Sequence, residues 1–190
     1  MENFDAQSRL DIISDSISAA KENIKNQSFY YILWGWLVII SSLFNFALLK
    51  FGAHKLHFIP WILIMPLGWV ATIIYARNHS SERGFETHLE SFLKYLWIVL
   101  GLSMFVVVFI SIMNKMNPAI LTLVLAGIGT TVSGFTMKFK PLIWGGIIMF
   151  VFSISCLYIQ NENVYLIYAV AIALGYLLPA YRLKKVNTDV

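Results

Sequence analysis

The chain has 190 residues, of which 58% are apolar and only 13% charged, with a mean hydropathy of +0.71 and a net charge of +4. Soluble domains carry roughly a quarter charged residues, so this balance excludes an ordinary soluble enzyme and a disordered chain alike. With 11 Gly, 5 Pro and the single cysteine Cys156, collagen-like and disulfide-framework classes are excluded too.

The first 28 residues hold five acids and three bases, and no apolar core precedes Phe29. They do not read as a signal peptide. Ala6, Leu10, Ile13, Ile17, Ala20 and Ile24 keep alternating four- and three-residue spacings. That is the period of a helix that packs on another helix, and it predicts an amphipathic cytoplasmic helix over residues 6–25. Leu10, Ile13, Ile17 and Ile24 are the expected partner-helix seam. The segment is net negative, which favours protein contact over an anionic lipid surface. The candidate partners are the linker Arg77–Ser91 with Phe85, Leu89 and Phe92, a second copy of the chain, or a soluble protein.

Six charge-free runs follow: Phe29–Leu49, Phe58–Ala76, Tyr95–Met113, Ala119–Met137, Pro141–Ile159 and Val164–Tyr181. At 1.5 Å per residue such runs reach roughly 30 Å, the thickness of a hydrocarbon core. The expected fold is all-α: a polytopic membrane bundle of six helices arranged as three hairpins. The predicted organisation is a cytoplasmic helix and linker over 1–28, a transmembrane domain over 29–185 and a short tail over 186–190. With the amino terminus inside, 11 of the 14 Lys and Arg fall on the cytoplasmic side, leaving Lys50, Lys55 and Lys115 outside. The positive-inside rule therefore predicts a multi-pass protein of the bacterial cytoplasmic (inner) membrane with both termini cytoplasmic. The net positive charge then has a topological origin and implies no nucleic-acid partner.

Trp34, Trp36, Trp97 and Trp144 stand near predicted inner helix ends and Trp61 near an outer one, as aromatic belts do. Trp69 lies mid-span and is expected to pack between helices. Each hairpin pairs a Trp with a later Gly: Trp34 with Gly68, Trp97 with Gly129, Trp144 with Gly175. This is the pattern of a repeated hairpin, or else the likeness that any hairpin obeying the positive-inside and aromatic-belt rules would show. The second, fourth and sixth spans hold most of the small and helix-distorting residues, including Pro66, Gly127, Gly129 and Pro179. One reading lines a central path with these spans; the other is close packing alone. In the fourth span Gly127, Thr131 and Gly134 form a stripe of small residues expected to face a neighbouring helix. Leu123 is expected to face outward.

No Asp, Glu, Lys, Arg or His lies deep within any run, which argues against proton relays and ion-coupled carriers. The intramembrane serines Ser41, Ser42, Ser103, Ser111, Ser153 and Ser155 lack a nearby base, and their hydroxyls are expected to bond within their own helices. His54-x-x-His57 has metal-ligand spacing but no acid or cysteine beside it, and His79 and His88 read as solvated linker residues. Cys156 reads as a packing residue. No catalytic residue, metal or cofactor is expected.

The run Ala20-Lys21-Glu22-Asn23, with Ser28-Phe29-Tyr30-Tyr31-Ile32-Leu33-Trp34-Gly35-Trp36-Leu37-Val38 after it, resembles a family of small membrane proteins of Bacteroidetes-type bacteria. The resemblance covers about Ile13–Leu48. It implies a short polar amino-terminal helix followed by several spans, and it carries no activity or ligand. Two functional readings follow: a non-enzymatic, partner-binding sensor, regulator or assembly factor, or a small-solute or lipid carrier or channel. A bundle closed by aromatic rings favours the first, and a path lined by polar atoms favours the second.

Overall fold

The computed structural model describes residues 27–53, 55–80, 88–159 and 161–185, and among the described residues every regular element is a helix. Six are long and apolar enough to cross a membrane. They are α1 (Gln27–Lys50), α2 (Ile59–Ser80), α3 (His88–Met113), α4 (Pro118–Thr136), α5 (Lys140–Leu157) and α6 (Asn163–Lys185). Each coincides with one charge-free run. Several extend past it: α3 begins at His88 and α6 reaches Lys185. A charge-free run measures the hydrocarbon-compatible stretch, and a helix continues past it into polar residues. The predicted amphipathic helix with Leu10, Ile13, Ile17 and Ile24 lies outside the described residues, as do Phe85 and the tail.

The helix ends have local causes. Asn117 caps α4 by accepting from the Ala119 backbone N–H at 2.9 Å, and Pro118 opens the helix where no N–H is needed. Three helices close with a residue in the left-handed region: Gly52 (φ 80°) after α1, Lys115 (φ 53°) after α3 and Lys138 (φ 53°) after α4. In each, the next residue's N–H returns to a carbonyl five residues back: Ala53 to Leu48, Met116 to Ser111 and Phe139 to Gly134. This satisfies carbonyls that a helix end leaves orphaned. Lys115 and Lys138 also place positive charge at the negative ends of α3 and α4.

Helix α6 contains a wide turn of π type over Ala173–Leu177. Pro179 explains it. It has no N–H to offer the Gly175 carbonyl, so the backbone shifts to five-residue bonding, as in Leu178 N–H to Ala173 O.

Helices α4 and α5 pack along much of their length, α3 lies on α4, and α5 lies on α6. Helix α1 is tied to α6 by Trp36 Nε1 donating to Tyr181 Oη (2.9 Å), Ser42 Oγ donating to the Tyr165 carbonyl (2.7 Å) and a Lys50–Glu162 ion pair (3.3 Å). It also carries α2, through Trp34 Nε1 donating to Thr72 Oγ1 at 3.1 Å and Phe29 stacked on Tyr75 with ring centroids 3.7 Å apart. In the most apolar stretches, burial reaches 56% in α6 and 44% in α4 but only 11% in α2 and in α3. Of the two readings of the second, fourth and sixth spans, the central path lined by all three therefore fails at the second, while the fourth and sixth are the most buried. Helix α2 is peripheral and Pro66 is exposed. Its small residue Gly68 serves a different end: it receives the Trp34 ring and Leu37 of α1.

Candidate functional site

The α4 stripe lies against α5. A Cβ on Gly127 would stand 2.9 Å from Phe150 Cε1 and 3.2 Å from the Gly146 carbonyl, and one on Gly134 would stand 2.7 Å from the Ile143 backbone nitrogen. The Thr131 hydroxyl rests directly on Gly146. Without side chains between them the two backbones come within dispersion contact, which drives helix association where lipid removes the usual hydrophobic gain. Leu123 does not face outward as expected: its relative exposure is 0%. It sits one turn before Gly127, so it shares the buried face. Gly127→Leu or Thr131→Leu should lower the thermal stability of the detergent-solubilised protein by about 1–3 kcal/mol through overpacking. Leu121→Ile, on an exposed face of α4, should change it by less than about 0.5 kcal/mol. Equal tolerance at these sites would show that the stripe is not a packing surface.

The first two hairpins share a contact. Trp34 and Leu37 of α1 cover Gly68 of α2, and Trp97 and Leu100 of α3 cover Gly129 of α4. A hydroxyl residue follows four positions after each Gly: Thr72, which accepts from Trp34 Nε1, and Ser133. The third hairpin departs from this. Trp144 is 64% exposed, and Gly175 meets the backbone of Gly145. The suggested threefold repeat is thus a shared contact in two hairpins. Trp69 packs between helices, edge-on to Trp34 with centroids 5.6 Å apart and against Gly101 of α3.

Toward the Gln27 end the bundle interior is filled by three mutually touching rings. Tyr31 of α1 lies 5.8 Å from Trp97 of α3 and 4.9 Å from Tyr176 of α6, and Trp97 lies 5.9 Å from Tyr176. Ser133 of α4 is beside Tyr31. Tyr176 reaches this point from the π turn, which rotates it relative to a regular helix. Aromatic pairs at such separations gain attraction beyond their buried area.

Toward the Lys50 end the interior is polar. Asn45 is 3% exposed, and Ser41, one turn earlier on the same face of α1, is 0% exposed. The Tyr165 hydroxyl lies close to the amides of Asn45 and Asn117. One turn further along α6, Tyr168 Oη is 3.3 Å from Thr122 Oγ1, and Trp61 covers the Tyr168 ring edge-on at 6.2 Å. Asn45 Oδ1, Ser41 Oγ, Ser111 Oγ, Ser133 Oγ, Thr131 Oγ1 and Tyr31 Oη are buried without a hydrogen-bond partner among the described residues. The serines were expected to bond within their own helices. Ser103 and Ser155 do, whereas Ser42 and Ser153 bond to other helices, the latter to the Ile120 carbonyl at 3.0 Å.

Cys156 is buried among apolar residues. His57 is half-buried, its Nδ1 has no partner among the described residues, and its ring is edge-on to Phe58. His54 lies outside the described residues. Among the described residues no three His, Cys, Asp or Glu side chains gather as metal ligands do.

Six apolar spans around a shared interior define a polytopic integral membrane protein of the helical-bundle class. No protein-family model, curated protein or solved structure matches the chain.

Proposed function

We propose that this chain is a non-enzymatic, partner-binding protein of the bacterial cytoplasmic membrane: a sensor, regulator or assembly factor of the small-membrane-protein family its first span resembles. The observation that carries this reading is the Tyr31–Trp97–Tyr176 cluster. It joins α1, α3 and α6 where a transport path would have to pass. The seam Leu10, Ile13, Ile17 and Ile24 supplies the partner contact, through a protein or through self-association, and the bilayer is the solvent for the remainder. The decisive experiment is affinity capture from native membranes with the full chain and with a chain lacking residues 1–27. A partner held only by the full chain supports the reading, and identical captures count against it.

Burying Ile and Leu contributes on the order of 1.5–3 kcal/mol per side chain, and a lone helix of twenty residues is marginal in water. Changing Ile13→Asp and Ile17→Asp together should therefore free residues 6–25 to exchange amide hydrogens while all six spans stay inserted. Free exchange in the unmodified protein with its partners present would refute the seam.

The orientation rests on the basic-residue count. In a Cys156→Ser background, His54→Cys, Met116→Cys and Glu162→Cys should react with an impermeant thiol reagent added outside. Gly84→Cys, Phe139→Cys and Asn187→Cys should not, and labelling of the Asn187→Cys chain from outside would reverse the topology.

The carrier or channel reading is favoured by one observation, the buried polar atoms at Ser41 and Asn45 that have no partner among the described residues. It requires the aromatic cluster to part.

A further inference from the structure

We propose that the Lys50-end half of the interior, between α1, α4 and α6, is a binding site for a small uncharged hydrogen-bond donor that enters from the Lys50 side. An amide oxygen sealed in a bilayer-spanning bundle without a partner is costly, because lipid offers nothing to replace it. Among the described residues Asn45 Oδ1 is such an atom, and Ser41 Oγ is a second, one turn deeper on the same helix face. Asn45 Oδ1 can only accept, and the Ser41 hydroxyl can accept or donate, so together they ask for a group from outside the chain that can donate. The Tyr165 hydroxyl stands beside both Asn45 and Asn117, and Tyr165 and Asn117 are only partly buried, so these two residues form the mouth. Tyr168 hydrogen-bonded to Thr122 forms the inner wall.

Among the described residues the lining, Ser41, Asn45, Asn117, Thr122, Tyr165 and Tyr168, is neutral. At the rim Lys50 pairs with Glu162. A charged guest would therefore find no counter-charge, and the chemistry selected is a hydroxyl or N–H group on a neutral molecule. Water and a small polyol both carry it. Asn45 Oδ1 is closed off in this conformation, so admission requires the mouth at Asn117 and Tyr165 to part. The aromatic cluster beyond makes the site a dead end, as suits a sensing site. The inference does not depend on the amino-terminal seam.

Thiol reactivity tests it. Thiols react as thiolates, which form where water or another polar partner is present and not in lipid. Asn45→Cys and Phe44→Cys, each in a Cys156→Ser background, place thiols at one depth. One lies in the site and the other at a position 57% exposed on the bundle surface. With methyl methanethiosulfonate, a small neutral reagent that reaches either membrane face, the Asn45→Cys chain should react at least about tenfold faster. Slowing by molar glycerol, beyond its effect on free cysteine, would assign the site to polyols. Fast reaction without slowing would assign it to water. Equal rates for the two variants would overturn the proposal. The unmodified chain gives a second measurement, free of any folding defect in a variant. Tyr168 and Tyr176 are 5% and 7% exposed, yet only Tyr168 borders the site. Hydroxyl-radical labelling should oxidise Tyr168 and spare Tyr176, and equal labelling would also overturn the proposal.

Discussion

Gly145→Ala should destabilise the bundle by on the order of 3 kcal/mol or more, at the upper end of overpacking costs. A Cβ at Gly145 would run into the Gly175 carbonyl, and the opposing atoms are main chain on both sides. Main chain cannot rotate aside as a side chain does, so α5 and α6 must separate. Intrinsic propensity works in the other direction, since Ala in place of Gly gains up to about 1 kcal/mol in a helix interior. The expected sign thus depends on packing outweighing propensity. Separation would also draw Tyr176, next to Gly175, away from Tyr31 and Trp97. Gly68→Ala is the matched control. Its Cβ would meet Leu37 Cδ1 at 2.6 Å, the end of a flexible side chain, and the result should fall within about 1 kcal/mol of the parent. Thermal unfolding in detergent followed by circular dichroism compares the two. A Gly145→Ala protein as stable as the parent would remove the backbone contact from the account of the fold.

The six spans were legible because hydrocarbon excludes charge, and that exclusion can be read along one dimension. Which face of each span is buried was harder to read. In a soluble helix the buried face is the apolar one, but in a lipid-solvated bundle both faces are apolar and the contrast disappears. Leu123 is the clearest case, since nothing in its residue type separates a packed leucine from a lipid-facing one. The spacing of small residues survives as a signal, and it marked Gly127, Thr131 and Gly134 on α4. The facing pair Gly145-Gly146 on α5 does not have that spacing, so the sequence did not mark it. Adjacent positions on a helix point about 100° apart. Two neighbouring glycines therefore serve two different partners: Gly146 meets α4 and Gly145 meets α6. That double duty also accounts for the departure of the third hairpin. With Gly145 turned to α6, Trp144 is turned outward and cannot cover Gly175 as Trp34 and Trp97 cover Gly68 and Gly129. The polar interior was not legible either. Asn45 and Tyr165 are far apart in sequence, and only the α1–α6 contact brings them together.

Tyr31→Ala and Tyr31→Phe should move stability in different directions. The alanine change deletes a ring that is 1% exposed and in contact with both Trp97 and Tyr176, leaving a cavity where three helices meet. Truncating a buried aromatic in this way costs about 3–5 kcal/mol. The phenylalanine change removes only the hydroxyl, whose oxygen is sealed and has no partner among the described residues. Deleting an unsatisfied buried polar group is neutral or stabilising, because its lost hydration is never returned by the folded state. A loss above about 1 kcal/mol for Tyr31→Phe would mean that the hydroxyl is bonded in the membrane, with Ser133 the neighbour in position to bond it. The alanine variant also separates the two functional readings. If the ring cluster closes an otherwise continuous polar route, its removal should let small neutral solutes leak through vesicles that carry the variant. If the bundle is a solid anchor for a partner-binding segment, Tyr31→Ala should lose stability and leave vesicle permeability unchanged.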